Sequence, residues 1–276
     1  MTSLLNKYFN ETIIFRPIGI SCLIFFLFFF GRVDLSRCQE VKTPEKILSI
    51  FNGKVPQEWG AKVKGVKTRL NTDQKVLALT FDACGGSRGS SYDAKLIKYL
   101  KSEKIHATLF VSGMWINFNQ DIFQELAKDP LFGIGNHGLN HKPCSVNGRS
   151  VYGVKGTGSV SELIDEIERN AMRIQELTGR KPRYYRPGTA YCDEIGVEIA
   201  NALGFEVVTF GVLGDGGATY SKHKVKEVLW NASPGSIILM HMNHPEGETR
   251  EGLIDAVPQL KNQGFRFVRL SQFALK

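Results

Sequence analysis

Two rhythms of apolar residues alternate along most of the chain. Short apolar runs at 76–81, 107–111, 132–135, 183–185, 207–210, 237–241 and 265–268 are predicted as strands. Between them, apolar positions return every three or four residues, the period of a helix packed on one face. The clearest helix begins at Ser159, where Ser159 and Glu162 have capping-box spacing, runs through Leu163, Ile167, Ala171, Ile174 and Leu177, and stops at Gly179. Further helices are expected after Ser91, Gln120, Asp193, His223 and Thr249. Strands alternating with helices predict an α/β fold, a parallel sheet covered by helices, either open or closed into a barrel. In both arrangements the active site belongs at the carboxyl ends of the strands.

The N-terminal part departs from this rhythm. An apolar, Phe-rich run from Ile18 to Gly31 follows Lys7 and Arg16 and is ended by Arg32 and Asp34. It is shorter than the roughly twenty residues of a full membrane span and fits a signal-peptide core. An uncleaved anchor is the alternative, because no clean small-x-small cleavage site follows and Ile13 to Phe15 could lengthen the run. Cys38 does not make a lipid-attachment site, since the bulky Arg37 precedes it. Residues 1–36 are therefore expected to be a signal peptide or membrane anchor, 37–72 a polar linker and lead-in, and 73–276 the domain. This places the domain outside the cytoplasm, whether secreted, periplasmic or anchored, with the membrane touched only through the N-terminal segment.

Composition adds limits rather than an activity. With 42% hydrophobic and 22% charged residues the 276-residue chain can bury a full core. The net charge of +8 would favour an anionic surface, but Lys and Arg are scattered and no basic stripe carries interleaved aromatics, which argues against nucleic acid. An address outside the cytoplasm permits disulfides, and Cys84, Cys144 and Cys192 each sit beside a candidate catalytic segment. A disulfide among these and free thiols packed as small hydrophobes are both open.

Four segments carry chemistry, and all fall at the same end of the expected sheet. His137 and His141 stand four residues apart, a spacing that lets two imidazoles share a divalent metal. Asp82 leaves a buried apolar strand and enters a Gly-rich turn, a costly place for a carboxylate without a partner. Arg186, at a strand end beside Pro187, is suited to hold such a carboxylate ionised. His241 ends an apolar strand, the dry and tunable setting that a general acid needs.

Taken together these segments resemble the polysaccharide deacetylase family, carbohydrate esterase family 4, whose shared module is the NodB-homology domain. The resemblance spans residues 73–275. Thr80-Phe81-Asp82 resembles the start of the family's first motif, Thr-Phe-Asp-Asp-Gly; His137 and His141 match its His-x-x-x-His motif; Arg186-Pro187 and Leu239-Met240-His241 resemble the third and last motifs. The resemblance implies a distorted (β/α) barrel of about seven strands. It also implies a metal-dependent hydrolase that removes N-acetyl groups from a cell-wall or extracellular polysaccharide, releasing acetate and amino sugar. His137 and His141 would hold a divalent metal, zinc first, with cobalt, nickel and iron as alternatives. Asp82 would take the proton of the attacking water, Arg186 would orient Asp82, and His241 would protonate the departing amine.

Three departures qualify this. Gly138 stands where the family has Ser or Thr, and its Asp-x-x-Asp-Trp motif is only echoed around Phe210 to Gly217, where Asp215 could support His241. Ala83 replaces the second acidic residue, the family's third metal ligand. That leaves Asp82, a Cys84 thiolate or water as the third donor, with Asp82 expected. The rival readings are an amidohydrolase of a small N-acyl compound and an inactive carbohydrate-binding module. The joint presence of Asp82, Arg186 and His241 favours an enzyme.

Overall fold

A computed structural model describes residues 42–276, so the expected signal peptide or anchor at 1–36 lies outside the described residues. The chain runs α1 (Pro44–Phe51), β1 (Val76–Ala83), α2 (Ala94–Ser102), β2 (Ala107–Val111), α3 (Gly113–Phe118), α4 (Gln120–Lys128), β3 (Phe132–Asn136), β4 (Ser150–Val151) and β5 (Val154–Lys155). It continues through α5 (Val160–Thr178), β6 (Tyr184–Tyr185), α6 (Glu194–Ala202), β7 (Glu206–Val207), β8 (Val212–Leu213), α7 (Lys222–Trp230), β9 (Ile237–His241), α8 (Thr249–Asn262) and β10 (Arg266–Phe267). Among the described residues no helix is long and apolar enough to cross a membrane.

The sheet has the order β7-β6-β3-β2-β1-β9-β8, with β10 pairing the first residues of β1. Its ladders are parallel. Strand β1 is buried at every position, as a central strand of a parallel sheet covered on both faces must be. Alternation sorts its side chains: Leu77, Leu79, Phe81 and Ala83 pack under the helices with Leu96, Leu100 and Leu260, while Val76 and Ala78 join Phe110, Tyr184 and Val208 on the other face. Asp82 therefore points to the inner face, in register with Phe110 on one side and His241 on the other.

The two edge strands are the ends of one continuous stretch, 206–213. Its first part, β7, pairs with β6, and its last part, β8, pairs with β9. The strand expected at 207–210 is thus two short strands separated by an interruption. The sheet curls into a half-barrel across that interruption, in keeping with the expected distorted barrel.

Local signals set the helix ends. Ser159 caps α5 by accepting from Glu162 N, and Gly179 ends it at φ 73°, matching the sequence reading. α2 begins at its cap Asp93 rather than after Ser91, and α7 is capped by Ser221, just before His223. The stretch expected as a linker is, from residue 44, part of the fold. Ile47, Phe51 and Val63 pack with Leu163, Ile167 and Ile199, and Lys67 and Arg69 bridge to Val208 and Ser236. A two-turn helix followed by single bridge pairs leaves no sustained period to read. Cys144 and Cys192 lie side by side on paired backbone and are fully buried, and with Cys84 they are free thiols. Burial pushes both buried thiols up, so they pack as neutral small side chains.

Candidate active site

Four strand ends meet over one cleft. Asp82 is fixed by Arg186, whose Nη1 donates to Asp82 Oδ1 at 2.6 Å. The guanidinium is fully buried and lies 4.1 Å over the Phe110 ring. Its Nε and Nη2 donate to the carbonyls of Val208 and Thr209 at 3.1 and 2.8 Å, at the interruption between β7 and β8. One arginine thus fills the gap in the half-barrel and holds a carboxylate. Burial pushes the Arg186 pKa down, and the Asp82 charge works against that.

The histidine pair is shaped by a buried acid on α5. Glu166 accepts from the backbone N–H of Asn140 and Lys142, and the loop wraps around it to bring His141 onto His137 with ring centroids 4.8 Å apart. Gly138 lies at φ 78°, and a Cβ there would run into Glu166 Oε1, so Ser or Thr has no room at this position. Gly188, next to Pro187, packs directly on the His141 carbonyl and would likewise tolerate no Cβ. His137 Nδ1 donates to the Arg186 carbonyl at 2.8 Å, which leaves Nε2 as the bare nitrogen on the cleft side.

His137 Nε2 is 3.9 Å from Cys84 Sγ, and with a nitrogen of His141 these donors lie within 4.8 Å of one another. Around tetrahedral zinc, sulfur and imidazole nitrogen stand about 3.6 Å apart, so small side-chain movements would let the three hold such an ion. Burial pushes the Cys84 thiol up, but His141 and hydrogen bonds from His137, His141 and His241 overcome this and hold it well below its ordinary value. A thiolate is the form that ligates a soft divalent metal. Asp82, expected as the third donor, flanks this cluster: Arg186 occupies its Oδ1, while its Oδ2 stands 3.6 Å from His137 Nε2. With Ala83 turned into the helix-side core, the next side chain able to reach the cleft is Cys84.

His241 closes β9 beside Asp82. Its Nδ1 is 2.9 Å from Asp215 Oδ1, while Asp215 Oδ2 accepts from His241 N at 2.7 Å and from Thr249 Oγ1 at 3.0 Å. Burial pushes the His241 imidazole down, but Asp215 outweighs it and holds the pKa well above the ordinary histidine range. The cleft has a volume of about 400 Å³, with Asp82, Cys84, His141 and His241 at its polar end and Phe210, Leu213 and Leu239 along an apolar wall. All five site residues named from the sequence are brought together. Glu166 and Thr249 are not visible as site residues in the sequence, where Cys84 is one of three candidates for the third donor. Cys84 follows from continuing the strand alternation two residues past Asp82, and Glu166 is a lone acid on the apolar stripe of α5.

Fold and site define an α/β half-barrel hydrolase whose clustered carboxylate, imidazole and thiol groups sit at the carboxyl ends of its strands. A family model described as polysaccharide deacetylase matches residues 69–208, a segment that contains Asp82, Cys84, His137, His141 and Arg186 and ends before Asp215 and His241. The chain belongs to the polysaccharide deacetylase family. It is similar to the peptidoglycan-N-acetylglucosamine deacetylase of Bacillus cereus, 25% identical over 215 residues that cover 75% of this chain and 92% of that protein. Its fold is shared with Bacillus subtilis PdaA, a family 4 carbohydrate esterase, at a TM-score of 0.63 and 22% identity, covering 84% of this chain and 88% of that one. A family 4 pseudoenzyme from Bacillus anthracis has the same fold, with a TM-score of 0.62 and 24% identity over 75% of this chain and 67% of that one.

Proposed function

We propose that the chain removes N-acetyl groups from an N-acetylated polysaccharide of the cell wall or extracellular matrix, releasing acetate and an amino sugar. The observation that carries this reading is the meeting, over one cleft, of an arginine-held carboxylate, a carboxylate-held histidine and a three-donor cluster. Cys84, His137 and His141 would hold the divalent metal, zinc first. A metal bound there supplies Lewis acidity toward the acetyl carbonyl. Asp82 accepts the proton of the attacking water on Oδ2, the oxygen that Arg186 leaves open. His241, with Nδ1 turned to Asp215, donates from Nε2 to the departing amine nitrogen. The apolar wall of Phe210, Leu213 and Leu239 suits the acetyl methyl group. Such a substrate puts the domain outside the cytoplasmic membrane, carried there by residues 1–36.

The test is acetate release by purified protein from peptidoglycan, chitin oligomers and acetylated exopolysaccharide, with metal per chain measured alongside. Release that falls with chelator and returns with zinc is expected. A protein that binds no divalent metal and releases no acetate from any of these polymers sinks the reading. Release from small N-acyl compounds alone would move the substrate class.

A further inference from the structure

We propose that the cleft continues into a sugar-binding wall of Tyr152, Tyr191 and Trp59, on which the pyranose ring next to the one being deacetylated stacks. This rests on the polysaccharide reading above and narrows it to substrates of at least two linked sugars. The first sign is a turn that breaks its own rule. Strands β4 and β5 pair Ser150 with Lys155 and Val151 with Val154, so Tyr152 and Gly153 form a two-residue hairpin loop. Both have positive φ, 53° and 75°, the type I′ geometry that selects Asn-Gly, Asp-Gly or Gly-Gly. Gly153 conforms, whereas Tyr152 bears the steric cost of the left-handed region.

Burial does not offset that cost, since Tyr152 is 76% exposed. The ring is nevertheless held in place. It packs edge-on against Tyr191 with centroids 5.6 Å apart at 82°, Tyr191 packs against Trp59 at 5.9 Å, and the Arg149 guanidinium lies 5.3 Å over Trp59. Tyr152 and Tyr191 line the same cleft as Asp82 and His241. His141 and Thr189, which line it too, also have positive φ, so non-glycine backbone strain gathers around this opening, as it does where ligands are clamped.

The chemistry of the wall selects a sugar. A pyranose presents an apolar C–H face ringed by hydroxyls, and tyrosine offers a flat apolar face with a hydroxyl at its rim and little side-chain entropy to lose. Arg149 and the phenolic hydroxyls supply donors at the edge. The wall's continuity with the reacting end of the cleft fixes the occupant as the neighbouring sugar of the same chain.

Calorimetry of the full chain with N-acetylglucosamine and with its β-linked tetramer tests this, using wild type, Tyr152→Ala and Tyr152→Phe. Wild type is expected to bind the tetramer at least about tenfold more tightly than the monomer, Tyr152→Ala to lose about 5- to 10-fold for the tetramer only, and Tyr152→Phe to stay within about twofold. The side chain projects from a hairpin tip, so its truncation leaves the core intact. Tetramer binding unchanged in Tyr152→Ala, an equal loss for monomer and tetramer, or no tetramer preference in wild type overturns the wall. Because binding is read without turnover, a protein that binds as expected but releases no acetate sinks the deacetylase reading and leaves the wall standing.

Discussion

Asp82 and Asp215 are both buried carboxylates in one site, yet their hydrogen-bond surroundings differ sharply. Asp82 has one charged partner on one oxygen, the Arg186 guanidinium, and its other oxygen faces the cleft. Asp215 has both oxygens occupied: Oδ1 by His241 Nδ1 and Gly217 N, and Oδ2 by His241 N and Thr249 Oγ1. An unsaturated carboxylate can accept a proton from water. A saturated one is a fixed charge that orients its histidine and favours the imidazolium, so under the proposed mechanism the same residue type would serve as base in one place and as support in the other.

The sharpest way to break this comparison is to remove the charge that should do base work. Asp82→Asn is expected to lower kcat by about a thousandfold or more, measured as acetate release. Fold stability should fall by about 3–5 kcal/mol, since Arg186 is left buried without its counter-charge. Copurified metal per chain should stay near the wild-type level, because Cys84, His137 and His141 are untouched. Metal lost in Asp82→Asn but kept in Cys84→Ser would make Asp82 the third donor instead. The next largest effect is expected from His241→Gln, about a hundredfold in kcat with metal retained, and an unchanged rate would remove His241 from the proton transfer.

These two residues were legible in the sequence because each ends a long apolar strand, β1 or β9, whose period and burial are plain. The central sheet and the main helices were readable for the same reason. The site's supporting groups were harder to read, since their partners come from far along the chain. Glu166 is an acid among apolar helix positions whose role depends on a loop wrapping back over α5. Thr249 reads as a helix start, and only the fold aims its hydroxyl at Asp215. For the third donor the sequence favours Asp82 over a Cys84 thiolate, which outside the cytoplasm is open to oxidation or disulfide pairing; the strand's alternation, followed past Ala83, brings Cys84 to the same face as Asp82. Strands β4, β5 and β8 are two residues each, too short for any period to show, whereas the apolar runs at 183–185 and 207–210 mark β6 and β7.

Asp215→Asn probes the supporting role. Its amide keeps the shape but loses the charge that favours the imidazolium, and one oxygen becomes a donor facing N–H groups. A loss of about tenfold to a hundredfold in kcat is expected, smaller than for His241→Gln because the imidazole remains in place. If Asp215→Asn proved as damaging as Asp82→Asn with the fold intact, Asp215 would be taking part in proton transfer and the two carboxylates would not divide the work.

The smallest effect isolates a single hydrogen bond of the saturated carboxylate. Thr249 is buried at the first turn of α8, and its Oγ1 donates to Asp215 Oδ2 at 3.0 Å, on the oxygen that also accepts from His241 N at 2.7 Å. Thr249→Val keeps the volume and β-branching and removes only the donor. Asp215 then retains three of the four hydrogen bonds named above, including both from His241, so its position and charge persist. The lost bond to a charged acceptor should lower stability by about 1.5–3 kcal/mol in thermal or denaturant unfolding. Turnover should fall by no more than about threefold, because Asp82, His241 and the donor cluster are left as they were. A loss of more than about tenfold in kcat, with wild-type stability, would mean that the hydroxyl acts on the reaction through Asp215 and that saturation of this carboxylate is part of the catalytic machinery rather than a feature of the fold.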